Sequence, residues 1–236
     1  MVLWSKKRED YGDFVVSGIL VNFVGYKYCV IMNELIKQLQ SCPASADDIS
    51  NYFSETAKLL MNGYVISKRG VEYEIIDIEF YLFTPEHQDV ITYPRNCKAG
   101  EWFFHQSGVD LTFASTEKQF GGILIRGLRE ISEKPDPEKT TVGPLKCVYL
   151  LWDKFSAFEV IDAEIPIITK ASKDLPQNKI KPLLRKIPVK KDKQTEKINY
   201  WKQRIEKKFE GVKIDKDLKE LSDLIFTSEY RFVKEP

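Results

Sequence analysis

Hydrophobic and polar residues recur with two different periods along the chain, and the change of period separates its elements. Apolar residues follow helical spacing between residues 49 and 60, after Ser45, and an Asn-Gly pair at 62–63 supplies a stop. Residues 64–67 and 71–82 are short apolar runs joined by a Lys-Arg-Gly turn. This part of the chain therefore predicts a helix followed by a hairpin of two antiparallel strands.

The second strand of this hairpin alternates between two sets of side chains. Strict alternation along its whole length puts one set on a single face: Tyr73, Ile75, Asp77, Glu79 and Tyr81. The other face then carries Ile76, Ile78, Phe80 and Leu82. We therefore expect Glu79 and Tyr81 to be neighbours on one surface of a sheet.

The rest of the chain predicts loops, strands and two further amphipathic helices. Residues 84–100 are polar and aperiodic, which predicts a long loop of a kind that is often functional. We predict strands at 102–105, 109–114, 123–131 and 158–168, a loop at 134–141, and a helix from Gly-Pro at 143–144 to 151. Two apolar stripes at helical spacing complete the pattern: Ile198, Trp201, Ile205 and Phe209, then Leu218, Leu221, Leu224 and Ile225.

The predicted helices and strands together indicate an α+β protein, and the length and composition allow a sizeable core. A chain of 236 residues with 43% hydrophobic residues is expected to form one domain, residues 1–236. The apolar stretch at residues 14–24 is too short to span a bilayer and has no small-residue cleavage site, so we predict a core strand. We expect an intracellular protein of the cytoplasm or nucleoid that has no membrane partner.

The cysteines and histidines do not indicate a metal site. The 4 cysteines are widely separated, and only His87 and His105 accompany them. Such spacing also argues against a secreted disulfide framework. The sequence contains no phosphate-binding loop, dinucleotide fingerprint or Gly-x-Ser-x-Gly motif. We therefore expect reduced thiols, no metal and no cofactor.

Positive charge is concentrated in residues 170–208, a lysine-rich connection or helical appendage. This stretch has 14 Lys and Arg against 4 Asp and Glu, whereas the whole chain has a net charge of +1. It could hold a phosphate backbone, or it could be a solvated connection, as charge runs often are. The candidate phosphate-binding residues are Lys190, Lys191, Lys193, Arg204, Lys207 and Lys208.

Four short motifs resemble, in the same order, those of the alkyladenine (3-methyladenine) DNA glycosylase family. Asp-Ile-Glu-Phe-Tyr at 77–81 is similar to the family's acidic-x-Glu-x-Tyr strand, and 122–128 to its apolar strand with one arginine. Gly-Pro-Leu-Lys at 143–146 resembles its Gly-Pro helix start, and Glu-Tyr-Arg-Phe at 229–232 its terminal strand. The matched segments cover a little under half of the chain. The resemblance implies a curved, mostly antiparallel sheet flanked by helices.

The resemblance also implies a function in base-excision repair. A monomer would flip a damaged purine, alkylated or deaminated, out of double-stranded DNA and hydrolyse its N-glycosidic bond. Glu79 occupies the position of the general base that activates water, and Arg126 that of the arginine that places the water. Tyr81 would stack on the base. His87 is the nearest candidate for the histidine that touches it, and Tyr93 is an alternative wall residue.

Two positions depart from the family's pattern and keep other functions open. Asp110 stands where the family has an apolar wedge, and Phe113 stands at its pocket asparagine, which makes Phe113 a further candidate base contact. The alternative is an inactive module of the same fold that binds nucleic acid, a nucleotide or a protein. A structural or interaction protein without a pocket is a third possibility. In that case Glu79 would be a solvent-facing acid, and Arg126 would simply pair with an acid.

Overall fold

The computed structural model describes residues 34–43, 46–132, 139–154, 158 and 165–235. Ser45, the predicted strand at 14–24, and parts of the predicted loop at 134–141 and strand at 158–168 lie outside the described residues. The described helices are α1 (residues 34–40), α2 (Ala46–Gly63), α3 (Pro144–Leu151), α4 (Gln194–Lys208) and α5 (Leu218–Thr227). A 3-10 turn, Lys191–Lys193, precedes α4.

Nine strands form one sheet in the described part of the chain. They are β1 (Tyr64–Lys68), β2 (Val71–Phe83), β3 (Trp102–His105), β4 (Gly108–Thr112), β5 (Phe120–Glu130), β6 (Thr140–Val142), β7 (Ile167–Lys170), β8 (Ile180–Leu183) and β9 (Arg231–Lys234). The main order is β3-β4-β5-β2-β1-β7, with β6 on β5 and β9 between β2 and β8. The pairs are antiparallel, and the sheet curls into a half-barrel, which confirms the predicted α+β class.

Helices cover both faces of the sheet and form two separate cores. On one face, Phe53 of α2 stacks on Phe80 of β2 with ring centroids 4.4 Å apart, in the larger cluster. On the other face, Phe83 and Phe120 stack at 5.0 Å and belong to a second cluster with apolar residues of α4 and α5. Glu79 shares the face of Phe83, because the two are four residues apart on one strand. The polar region around Glu79 therefore adjoins the second core.

A β-bulge corrects the predicted alternation of β2. The register with β5 shifts on both sides of Asp77. As a result, Tyr73 and Ile75 join the larger core together with Ile78, on the face opposite Glu79. Of the five residues predicted to share one face, only Asp77, Glu79 and Tyr81 do so. The bulge directs Asp77 and Glu79 away from the larger core, whereas Tyr73 and Ile75 pack into it.

Most of the remaining predictions hold to within a few residues. The strand predicted at 158–168 is described only as β7, Ile167–Lys170, and the helix α1 and two strands were not predicted. The helix at 144–151 and the strand at 102–105 have the predicted bounds. β6 lies at the end of the predicted loop 134–141, and β8 lies in the lysine-rich connection, where no strand was predicted. None of the helices in the described ranges combines the length and apolar character needed to cross a membrane.

Candidate functional site

Glu79 lies in the middle of β2, fully buried and held by three hydrogen bonds. Its Oε2 accepts from the Tyr81 hydroxyl at 2.7 Å and from Arg126 Nη1 at 3.1 Å. Its Oε1 accepts from the main-chain N–H of Lys186 at 2.7 Å. A carboxylate offers about four lone-pair positions, so Oε1 can accept one further hydrogen bond.

A second carboxylate, Asp77, lies beside Glu79 and is paired as well. Arg231 of β9 donates to both Asp77 oxygens, from Nε at 2.9 Å and from Nη2 at 2.7 Å. Arg126 Nε lies 3.8 Å from Asp77 Oδ1, so the guanidinium of Arg126 bridges the two acids. Two acids and two arginines balance in charge, which is how buried ions are tolerated. The structure thus brings the predicted pair Glu79 and Arg126 together.

Tyr81 donates to Glu79 and is covered on one side by an arginine that the sequence did not single out. The guanidinium of Arg185 lies 5.0 Å from the centroid of the Tyr81 ring. It is held there by two bonds to Asp89, at 2.6 and 3.0 Å, and by the main-chain carbonyl of Phe80 at 3.3 Å. Burial and the Glu79 carboxylate raise the pKa of Tyr81 well above its ordinary value. A ligand could therefore stack only on the face of Tyr81 that Arg185 leaves open.

His87 is buried against another tyrosine. Its ring centroid lies 5.6 Å from that of Tyr230, which itself makes an edge contact at 4.9 Å with Phe53 of the larger core. Burial lowers the pKa of His87 to about 4, so the ring is neutral near pH 7. The structure places His87 beside Tyr230 and outside the hydrogen bonds that hold Glu79.

Tyr93, in the loop before β3, and His105, at the end of β3, form a stacked pair, and β3 lies three strands from β2 in the sheet. Their ring centroids lie 4.5 Å apart, and the guanidinium of Arg204 lies 4.5 Å from the Tyr93 ring. The Ser107 N–H donates to His105 Nδ1 at 3.2 Å, so Nε2 carries the proton and donates to Asp110 at 3.0 Å. Both ring nitrogens of His105 are thus engaged, and the ring serves as a fixed flat surface.

Asp110, the acid at the position that the resemblance aligns with the family's apolar wedge, is buried in β4 and paired. Arg95 Nη1 lies 2.7 Å from its carboxylate, and both side chains are almost fully buried. Burial by itself raises the pKa of Asp110, but Arg95 and His105 outweigh it and leave this pKa below its ordinary value. In the sheet, Glu79 pairs with Leu124, and Leu124 pairs with Asp110. Asp110 therefore belongs to the same face as Glu79 and does not project outwards.

Phe113, the candidate at the pocket-asparagine position, lies in the larger core. It is fully buried and stacks on Phe53 and Phe80 with centroids 6.5 and 6.3 Å apart. This core packs on the face of the sheet opposite Glu79. The structure therefore separates Phe113 from the carboxylate that it was expected to accompany.

The basic residues of α4 divide into inward and outward groups. Arg204 Nη2 donates to the carbonyls of Ile91 and Thr92 at 2.9 Å each, and Lys208 Nζ donates to Pro94 at 3.1 Å. These two side chains tie α4 to the long loop between β2 and β3. Lys208 is nonetheless exposed, as are the other predicted phosphate contacts: Lys190, Lys191, Lys193 and Lys207.

Two cavities lie away from Glu79. An apolar one of about 280 Å³ is lined by residues that include Leu39, Trp102 and Ile168. A polar one of about 610 Å³ is lined by residues that include Cys97 and Ser115. Neither is lined by Glu79, Tyr81 or Arg126. Within the described residues, no group of three His, Cys, Asp or Glu side chains is placed to hold a metal ion.

The chain matches no family model, no curated protein and no solved structure. The resemblance to the alkyladenine glycosylases thus rests on the four sequence motifs.

Sequence reasoning missed Arg185, Lys186 and Asp89 as parts of the site. Arg185 and Lys186 are two of many basic residues in their stretch, and no local pattern marks them. Asp89 lies in the predicted functional loop, two residues after His87, and an acid in that loop was the available signal.

Proposed function

We propose that the protein is a monofunctional DNA glycosylase that hydrolyses the N-glycosidic bond of alkylated or deaminated purines. The observation that carries this proposal is the contact between Glu79, Tyr81 and Arg126. Glu79 and Tyr81 lie on β2, whereas Arg126 lies on β5, 47 positions from Glu79. Both Tyr81 and Arg126 donate hydrogen bonds of 3.1 Å or less to the buried carboxylate of Glu79. Their types and order are those for which the resemblance implies a base, a stacking wall and a water-placing arginine.

Glu79 supplies the base in this reaction. A water that donates to the remaining acceptor position on Oε1 would lose its proton to Glu79 as it attacks the sugar carbon and the purine leaves. The carboxylate also stabilises the positive charge that develops on the sugar, as carboxylates do in glycoside hydrolysis. Arg126 and the Lys186 N–H fix the orientation of the carboxylate, so it need not reorganise during the reaction.

Entry of a base requires local opening, because Glu79 is fully buried in this structure. Tyr81 is partly exposed, and Arg126 is 8% exposed, so these side chains connect Glu79 to the solvent. Proteins that act on a flipped base enclose it in a close-fitting pocket. The flipped purine would therefore approach along the open face of Tyr81.

The test is release of free base from defined duplexes. The protein is incubated with duplexes that hold hypoxanthine, ethenoadenine or 3-methyladenine, and released base and abasic sites are measured. Release of at least one of the three, with undamaged duplex left intact, is the expected result. If all three bases stay in place under single-turnover conditions, the proposed reaction is wrong.

Full enclosure of Glu79 favours a second candidate, an inactive module of the same kind that only binds nucleic acid. In this case the ion pairs around Glu79 would only stabilise the fold, as the ion pair between Asp110 and Arg95 does. The same assay separates the two functions. Binding of the lesion duplexes without release of any base supports the binding module.

A further inference from the structure

Three exposed lysines lie around the face of the sheet that carries Glu79. Residues that pair directly across antiparallel strands point to the same face. One such row runs from Lys181 through Val233, Asp77 and Gly127 to Val142. Lys181 is exposed at one end of this row, next to the pair of Asp77 and its arginine.

Lys186 and Lys146 complete the set on either side. The main-chain N–H of Lys186 donates to Glu79, while the Lys186 side chain is exposed. Lys146 is also exposed, and its side chain lies within 4 Å of a Cβ built on Gly143, directly after the Val142 end of the row. Four inter-strand spacings separate β8 from β6, which is about 19 Å. The major groove of DNA is narrower than this, at about 12 Å. Lysine side chains that extend inward from both ends of the row can therefore contact the two backbones that border the groove.

Within the described residues, these three lysines add positive charge around Glu79. Asp77 and Glu79 are neutralised by Arg231 and Arg126, as described above. Exposed lysines of α4 and of the turn before it are interspersed with acids: Asp192, Glu196, Glu206 and Glu210. One of them, Lys193, is paired with Glu196 at 3.1 Å. The α4 surface therefore has mixed charge, whereas the three lysines near Glu79 add to one another.

We propose that Lys146, Lys181 and Lys186 hold the phosphate backbone of duplex DNA over the Glu79 face, and that the outward lysines before α4 do not. This inference rests on the proposed function for the identity of the polyanion. It assigns DNA contact to Lys146 and to two lysines in the first half of the lysine-rich stretch, and removes it from Lys190, Lys191 and Lys193 in the second half.

The experiment compares two triple variants that lose the same charge. The site variant combines Lys146→Gln, Lys181→Gln and Lys186→Gln, and the matched control combines Lys190→Gln, Lys191→Gln and Lys193→Gln. Binding of a fluorescein-labelled, undamaged duplex is measured by anisotropy over a series of salt concentrations. All six side chains are exposed, so both variants are expected to keep the wild-type thermal midpoint.

Counterion release sets the expected size of the effect. Each phosphate contact contributes about 0.9 to the slope of log K against log salt, or about eightfold in affinity at 0.1 M salt. The site variant should lose up to about 2.7 of this slope and bind up to roughly 500-fold more weakly at 0.1 M salt. The control variant should keep the wild-type slope.

The assignment would be overturned if the wild-type protein did not bind the duplex. It would also be overturned if the site variant lost no affinity, or if the control variant lost as much affinity as the site variant or more. The undamaged duplex makes this result independent of catalysis. If the protein binds through these lysines and releases no base, the proposed chemistry fails while the surface stands.

Discussion

Replacing Arg185 by methionine removes a buried cation near Glu79 that donates five hydrogen bonds. The guanidinium donates twice to Asp89, at 2.6 and 3.0 Å, and also to the carbonyls of Phe80, Leu224 and Ile225. Both members of the ion pair are fully buried. Without Arg185, the Asp89 carboxylate is left in a dry site, and breaking such a pair costs about 3–5 kcal/mol.

Urea unfolding measures this cost. With a slope of about 2.5 kcal/mol per M, a loss near 4 kcal/mol lowers the urea midpoint by roughly 1.5 M. Lys219→Met is the control, because the pair of Lys219 with Asp223 is exposed, and its loss should move the midpoint by less than about 0.2 M.

The double variant Arg185→Met with Asp89→Leu removes both charges and should recover part of the loss. Equal midpoints for Arg185→Met and Lys219→Met would refute the argument that burial makes this pair indispensable. A double variant less stable than Arg185→Met would refute the explanation through an unpaired carboxylate.

Three further experiments test other parts of the structure. A Cβ at Gly122 would lie 3.0 Å from Arg95 Nη1 and 2.9 Å from a main-chain oxygen. Gly122→Ala should therefore lower the free energy of unfolding by about 1–3 kcal/mol. Gly63→Ala is the control and should lower it less, because a Cβ at Gly63 meets only the end of a lysine side chain. The folded-state pKa of Asp110 is below its ordinary value of 3.8. Ionised Asp110 therefore stabilises the fold above that pH, and this stability is lost as the pH falls through the folded-state pKa. The difference in urea midpoint between wild type and Asp110→Asn should shrink below about pH 4. Burial raises the pKa of Cys147 to about 12, so peptide mapping should find it unlabelled by a thiol reagent at pH 8 unless urea is present.

Local patterns were sufficient to predict part of the site. Glu79 and Tyr81 are two positions apart on a strand, and alternation alone puts them on one face. The resemblance gave Arg126 the role of placing a water for Glu79, which implied that the two residues lie close together. The bulge at Asp77 could not be predicted, because it depends on how β2 pairs with its neighbours and leaves no mark in the hydrophobic pattern.

Long-range contacts account for the residues that the sequence did not reveal. Arg185 is 96 positions from Asp89, and its neighbours in the chain include exposed leucine and lysine residues. Nothing in a lysine-rich stretch shows which cation turns inward. Arg204 behaves in the same way: it lies on the polar side of an amphipathic helix, yet it binds carbonyls of the loop that follows β2.

The single-turnover rate of base release in Glu79→Gln decides whether Glu79 acts as the base of a glycosylase. The duplex is the one that the wild-type protein processes fastest, and equal anisotropy-measured affinity for it confirms that the variant still binds. We expect a rate at least about 100-fold below wild type, because glutamine cannot accept the proton of the attacking water. A rate within threefold of wild type would show that Glu79 is not the base.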